Sequence, residues 1–302
     1  MKPFSLRIAL ILAFLVVLPV SAARGAPDET PIRLVDTFSL SPDGKQLVFS
    51  WLGDLWLASS DGGRATRLTT HASDERNPWI SPDGRHVAFV SNRTCSNQVF
   101  VMALEGGQPK MVTTHTEGFV LYGWFPDGQS LLVRSVQDHH WRRAERFFRR
   151  SLDPRDPLEL LFDAYGGSAA ISPDGKKIAF VREGERWTRK GYTGPRAGQI
   201  WVHDLDAGTY TKLTGSDHGE RWPQWSADGR TIYFSSQEDG TFNLWRMAPD
   251  GTGRTQVTRF EDDGVLFPRI SLDGSRIVFR RLFDLGVVEL ADAKTRSIGL
   301  HH

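Results

Sequence analysis

Short hydrophobic runs alternate with turn-forming residues along nearly the whole chain, and one such unit recurs six times. QLVFS at 46–50, HVAFV at 86–90, SLLVR at 130–134, KIAFV at 177–181, TIYFS at 231–235 and RIVFR at 276–280 have the length and residue types of strands. Each follows a tetrapeptide ending in Asp-Gly: SPDG at 41–44, SPDG at 81–84, FPDG at 125–128, SPDG at 172–175, SADG at 226–229 and SLDG at 271–274. Asp-Gly between strand-like runs is a hairpin signal. A second strand pair follows, with Trp56, Phe100, Phe148, Trp201, Trp245 and Gly286 each twelve residues before Leu68, Val112, Leu160, Leu213, Val257 and Ile298. Between them lie turn formers such as DGG at 61–63 and PDGTG at 249–253. Each repeat therefore predicts four strands, and a spacing of 40 to 54 residues is that of propeller blades. The expected fold is all-β, a six-bladed β-propeller of four-stranded antiparallel blades over residues 27–302, in one domain. The Trp56-type positions are expected to be packing anchors between blades rather than a ligand cage.

The first 26 residues break this pattern. Lys2 and Arg7 precede an apolar run from Ile8 to Leu18, then Pro19 and small residues, which reads as a secretory signal peptide cleaved after Ala22, Ala23 or Ala26. The apolar run is shorter than the roughly 20 residues a spanning helix requires, so no membrane association is expected after cleavage. The chain is expected to be exported, to the periplasm or the outside of the cell. Removal of Lys2, Arg7 and Arg24 leaves 34 basic against 36 acidic residues, a balance that gives no reason to invoke nucleic acid. Cys95 is the single cysteine, so no intramolecular disulfide can form and stability must come from blade packing.

Where the repeats disagree, function is expected. From turn Gly to Trp56-type position the copies span 12, 16, 20, 26, 16 and 12 residues, so the third and fourth carry the long insertions between their second and third strands. These lie on one face of neighbouring blades, as binding loops of repeat proteins commonly do. They contain Trp141, Arg142, Arg143 and Arg146 in the third copy and Arg186, Trp187, Arg189 and Tyr192 in the fourth. Arg binds carboxylates through two parallel bonds and stacks on rings, so this rim is a candidate site for a peptide or protein. The plainer alternative is a solvated loop with its charges balanced by Asp138, Glu145, Glu183 and Glu185. A weaker pattern lies in the blade-to-blade connections, where His71 precedes Glu75, His115 precedes Glu117 and His218 precedes Glu220. Such pairs around a funnel could bind a cation or polarise a substrate, or could simply cap their own loops.

No Gly-Xaa-Ser-Xaa-Gly elbow, HExxH, phosphate loop or dinucleotide fingerprint occurs. No catalytic residue, metal ligand or cofactor is therefore assigned. The SPDG hairpins, with DLWL and DGGRATRLT over 54–69, resemble the WD40-like repeats of TolB and tricorn-type proteins across residues 32–300. The stretches LSPDGKQLVFSWLGDLWLASSDGGRATRLTTH at 40–71 and QEDGTFNLWRMAPDGTGRTQVTRF at 237–260 are most similar to the N-terminal six-bladed propeller of secreted tricorn-like proteases. That resemblance implies a non-catalytic propeller that admits or orients peptides for a Ser-based site elsewhere in the chain. The second propeller, PDZ-like domain and protease core have no counterpart here, so the chain is expected to be a fragment, a split-gene product or a free-standing propeller. Its expected partner is a peptide or protein, such as a separate protease subunit or an envelope protein. A TolB-like role in periplasmic protein interaction is the alternative, without TolB's N-terminal α/β domain, and a propeller polysaccharide lyase using the funnel His residues with a metal is the third class.

Overall fold

Five of the six Asp-Gly tetrapeptides close the first hairpin of their repeat with the same bonds. In the first, Ser41 Oγ donates to Asp43 Oδ1 (2.6 Å) and accepts from the Gln46 N–H (2.9 Å), while Gly44 takes φ +70° and donates back to the Ser41 carbonyl. The Ser hydroxyl and the following backbone N–H hold Asp43, Asp83, Asp174 and Asp228 below the usual carboxylate range. The FPDG copy lacks the hydroxyl at Phe125, and Ser130 supplies it instead by donating to Asp127.

The computed structural model describes residues 30–138, 145–153, 155–184, 186–215 and 218–302. The signal segment 1–26 and the rim candidates Trp141, Arg142 and Arg143 lie outside the described residues. Six antiparallel sheets each contain one repeat in strand order. The first runs Phe38–Leu40, Gln46–Trp51, Asp54–Ser59, Thr66–Arg67; the second Glu75–Ile80, His86–Ser91, Gln98–Ala103, Lys110–Met111. The third is Val120–Trp124, Ser130–Ser135, Arg146–Ser151, Glu159–Tyr165, and the fourth Gly167–Ile171, Lys177–Arg182, Gln199–Asp204, Thr209–Lys212. The fifth is Arg221–Trp225, Ile232–Ser236, Asn243–Met247, Thr255–Gln256, and the sixth Leu266–Ile270, Arg276–Arg281, Asp284–Glu289, Thr295–Ile298. Their first strands touch in chain order around a channel, and Leu266–Ile270 meets Phe38–Leu40 again.

A seventh sheet is unlike the others. It has three strands, Pro31–Ile32, Leu300–His301 and Gly63–Arg64, the last pairing parallel with Leu300–His301. The described strands therefore form seven sheets, and the six-bladed expectation is corrected to a propeller of seven. The seventh escapes sequence reading because it pairs two-residue segments almost the whole chain apart. It also shows how the ring closes: Leu300–His301, directly after the sixth sheet, pairs with Pro31–Ile32 and Gly63–Arg64 beside the first sheet. Arg276 and Arg296 of the sixth sheet both bind Asp61, tightening the same seam.

Neighbouring sheets bury their faces against each other. Phe89, Phe147, Phe180, Phe234 and Phe279 are fully buried in successive clusters, and Phe49 packs with Val278, Val287, Ile298 and Leu300 where the last sheets meet the first. Trp56 and its equivalents flank these clusters, and Arg side chains cover several of them: Arg93 lies 4.7 Å from the Phe100 ring and Arg254 5.0 Å from Trp245. At the sixth equivalent, Gly286, a Cβ would come within 2.7 Å of the opposed Phe279 ring, so that ring fills the place of the missing anchor. Leu300→Ala removes a buried contact of the closing cluster and is expected to cost about 2 kcal/mol, read as a lower denaturant midpoint at unchanged slope.

Candidate functional site in the central channel

The channel is lined by the first strand of each of the six repeat sheets, and five of those strands share an irregularity. The register against the second strand slips between Arg76 and Trp79, Leu121 and Gly123, Gly167 and Ala170, Arg221 and Gln224, and Leu266 and Arg269. Within the slips Asn77, Ser168, Trp222 and Phe267 adopt left-handed backbone, φ +49° to +53°. A β-bulge of this kind re-aims side chains. Here Asn77, Tyr122, Ser168, Trp222 and Phe267, with Thr37 just before the unbulged first strand, line a chamber of about 390 Å³. Left-handed backbone at residues as large as Trp and Phe costs free energy, and such strain concentrates where a protein holds a site.

A second chamber of about 350 Å³ lies toward the Asp-Gly turns. Its wall is apolar: Trp124 and Trp225 along the strands, then Pro82, Pro126 and Pro173 from the turns and the exposed Leu272 at the mouth. Tyr122, Gln224 and Arg269 line both chambers and so divide them. Arg269 lies 4.3 Å from the Trp79 ring, and among the described residues its side chain makes one hydrogen bond, a long donation to the adjacent Pro268 carbonyl, 3.3 Å. Its Nε is buried without an acceptor, and burial pushes the guanidinium down to about 10.

The fourth insertion closes over the opposite mouth. Gly191 donates to Gln237 Oε1 (2.9 Å), Gln237 returns a bond to the Tyr192 carbonyl, and Lys190 Nζ reaches the Asp262 carbonyl (3.0 Å), so the loop crosses the fifth sheet to the sixth. Trp187 then stands edge-on to Phe267 at 5.8 Å, and Phe267 packs on Trp222 at 4.6 Å. Arg280 lies between Trp187 and Phe267, 5.4 and 4.8 Å from their rings, and burial lowers its pKa despite the pull of Asp36. Arg189 is stacked on Tyr192 of the same loop at 4.5 Å, and Arg186 accepts a turn bond from Arg189.

The remaining candidates line neither chamber. Arg146 is held by Asp138 and Asp163, whose bonds raise its pKa against the effect of burial. Glu75 is buried in an ion pair with Arg93, and Glu220 in one with Arg254. His71 Nδ1 accepts from the Ser73 N–H and His115 Nδ1 from the Glu117 N–H, so both cap their own loops. His218 is half-buried two residues before Glu220. Among the described residues no group of three His, Cys, Asp or Glu side chains could hold a metal ion. Sequence reasoning missed Arg269, Gln224, Tyr122 and Trp79. For Trp79, Gln224 and Arg269 the signal was the position two before each tetrapeptide, which reads Ser39, Trp79, Gly123, Ala170, Gln224 and Arg269. The preceding-residue position stays apolar, as Leu40, Ile80, Trp124, Ile171, Trp225 and Ile270.

Residues 17–294 match the family described as the tricorn protease N-terminal beta propeller domain. Tricorn protease homolog 1 of Streptomyces coelicolor is 32% identical over 260 residues, 83% of this chain and 23% of that protein. The chain spans less than a quarter of the length of the two Streptomyces coelicolor tricorn homologues it matches. Among solved structures, the tricorn protease crystal structure superposes with a TM-score of 0.75 at 20% identity, over 89% of this chain and 26% of that one. TolB from Acinetobacter baumannii gives 0.65 at 19% identity, over 89% and 63%. Likeness at that identity speaks for the fold, whereas the sequence matches carry the family: the chain belongs to the tricorn protease N-terminal beta propeller domain family.

Proposed function

We propose that the protein is an exported, non-catalytic propeller that binds peptide or protein segments at the channel mouth covered by the fourth insertion. The observation that carries this reading is the seat of Trp187 on Phe267, which itself packs on Trp222. A loop that merely connected two strands would stay over its own sheet; this one spans two others and delivers an aromatic side chain to bulge residues of the channel. Aromatic anchors in partly desolvated pockets supply most of the energy in peptide recognition. Membership of the tricorn propeller family supports a role in handling peptides, and a 26% identical match over 221 residues to a TolB homolog of Chlorobium luteolum supports one in protein interaction. The charged start and apolar run of the first 26 residues support export.

The test is capture of a randomised peptide library by the mature chain, followed by affinity measurement on the enriched peptides. Trp187→Ala is expected to weaken binding about tenfold or more. Unchanged affinity would place peptide recognition elsewhere or remove it.

A further inference from the structure

Arg269 is the misfit of the channel. The arginines of the sheets' outer parts are matched with carboxylates: Arg67 with Asp54, Arg93 with Glu75, Arg149 with Asp127 and Arg276 with Glu289. Arg269 has no acidic side chain within ion-pair distance among the described residues, and the residues lining both chambers it divides include no Asp or Glu. The second cation there, Arg76, is bonded to the neutral Asn97 amide at 2.8 Å. A half-buried guanidinium that no carboxylate neutralises is costly, and a fold keeps one where an external anion completes it.

The chemistry of the site narrows the anion. Arg269 Cζ lies over the Trp79 ring at 4.3 Å, and apart from the long bond to the Pro268 carbonyl no hydrogen bond to the described residues occupies its nitrogens, so they can meet a carboxylate through two parallel bonds. The Trp79 indole N–H is buried without an acceptor, whereas those of Trp124 and Trp225 have the Trp79 and Ala170 carbonyls. From there the chamber runs between Trp124, Trp225 and the turn prolines to Leu272, with no other charge on the way. We infer that the chamber on the Asp-Gly side of the channel is a binding site for a monocarboxylate with an apolar body, its carboxylate on Arg269 and its body against the Trp and Pro wall. This site opens on the face opposite the fourth insertion and stands or falls independently of peptide binding there.

The experiment is titration of the mature chain with phenylpropanoate and octanoate, their primary amides, and inorganic phosphate, followed by tryptophan fluorescence and calorimetry. The carboxylates are expected to bind at least tenfold more tightly than the matching amides and than phosphate, and to raise the melting temperature. Arg269→Met should abolish the preference for carboxylate over amide while retaining weak binding of both. Arg269→Lys should keep part of the preference, since charge survives but the paired bonds do not, and it guards against a folding defect in the first variant. Equal affinity for acid and amide, a preference that survives Arg269→Met, tighter binding of phosphate, or no binding at all would overturn the assignment.

Discussion

Arg93→Ala is expected to destabilise the protein by about 3–5 kcal/mol, the range for breaking a buried ion pair by removing one partner. Its carboxylate partner, Glu75, has a side chain wholly withdrawn from solvent, and the second carboxylate oxygen has no hydrogen-bond donor. Arg93 is itself mostly covered, with its guanidinium 4.7 Å from the Phe100 ring and a bond from Nε to Ser91 Oγ (3.1 Å). Truncation to Ala leaves a buried carboxylate with no cation and opens space over two Phe rings. The pair ties the start of the second sheet to the turn after its second strand, so the loss falls on the seating of a whole sheet. Denaturant titration reads the effect directly. A double variant, Glu75→Gln with Arg93→Met, should recover much of the loss, because neither charge then remains buried. If Arg93→Ala costs less than about 1 kcal/mol, the pair is hydrated in solution and the funnel position of Glu75 is open to ligands after all.

The same pair shows what the sequence could and could not disclose. The Asp-Gly hairpins were legible because one turn, with its Ser hydroxyl and left-handed Gly, dictates four residue types locally. The Trp56-type register was legible for the same reason, since both strands belong to one repeat. Glu75 and Glu220, by contrast, read as funnel residues because they follow His71 and His218, and only the fold reveals that Arg93 and Arg254 reach them. The seventh sheet was invisible because its strands are two residues long and joined by contacts across the entire chain. Trp187 was visible within an insertion, but its landing on Phe267 depends on the ring bringing the sixth sheet within reach of a fourth-sheet loop. Arg269 was hidden by position: an Arg in a strand next to an Asp-Gly turn looks solvated until the strand proves to line a channel.

Gly264→Ala is expected to cost about 3 kcal/mol, at the upper end for an inserted methyl group. A Cβ on Gly264 would collide with the Phe242 carbonyl oxygen and lie 2.7 Å from its carbon, which are main-chain atoms without freedom to turn aside. The strand beside it cannot yield cheaply either. Val265 donates to the same Phe242 carbonyl at 2.6 Å and is fully buried, and its own carbonyl accepts from Ser235 Oγ. Thr241 Oγ1 and Lys190 Nζ both bond the Asp262 carbonyl, and Arg281 Nε bonds that of Asp263. Residues 261–265 thus form a strap pinned from the fifth sheet, the sixth sheet and the fourth insertion at once. Relieving the clash means lifting the strap, which moves Phe267 away from Trp187 and loosens the mouth proposed to hold peptide. The variant should therefore lower both the denaturant midpoint and peptide affinity, while binding of carboxylates at Arg269 changes less because that chamber opens on the other face. A midpoint within about 0.5 kcal/mol of the parent would show that the strap has slack and that its close approach is not what fixes the mouth.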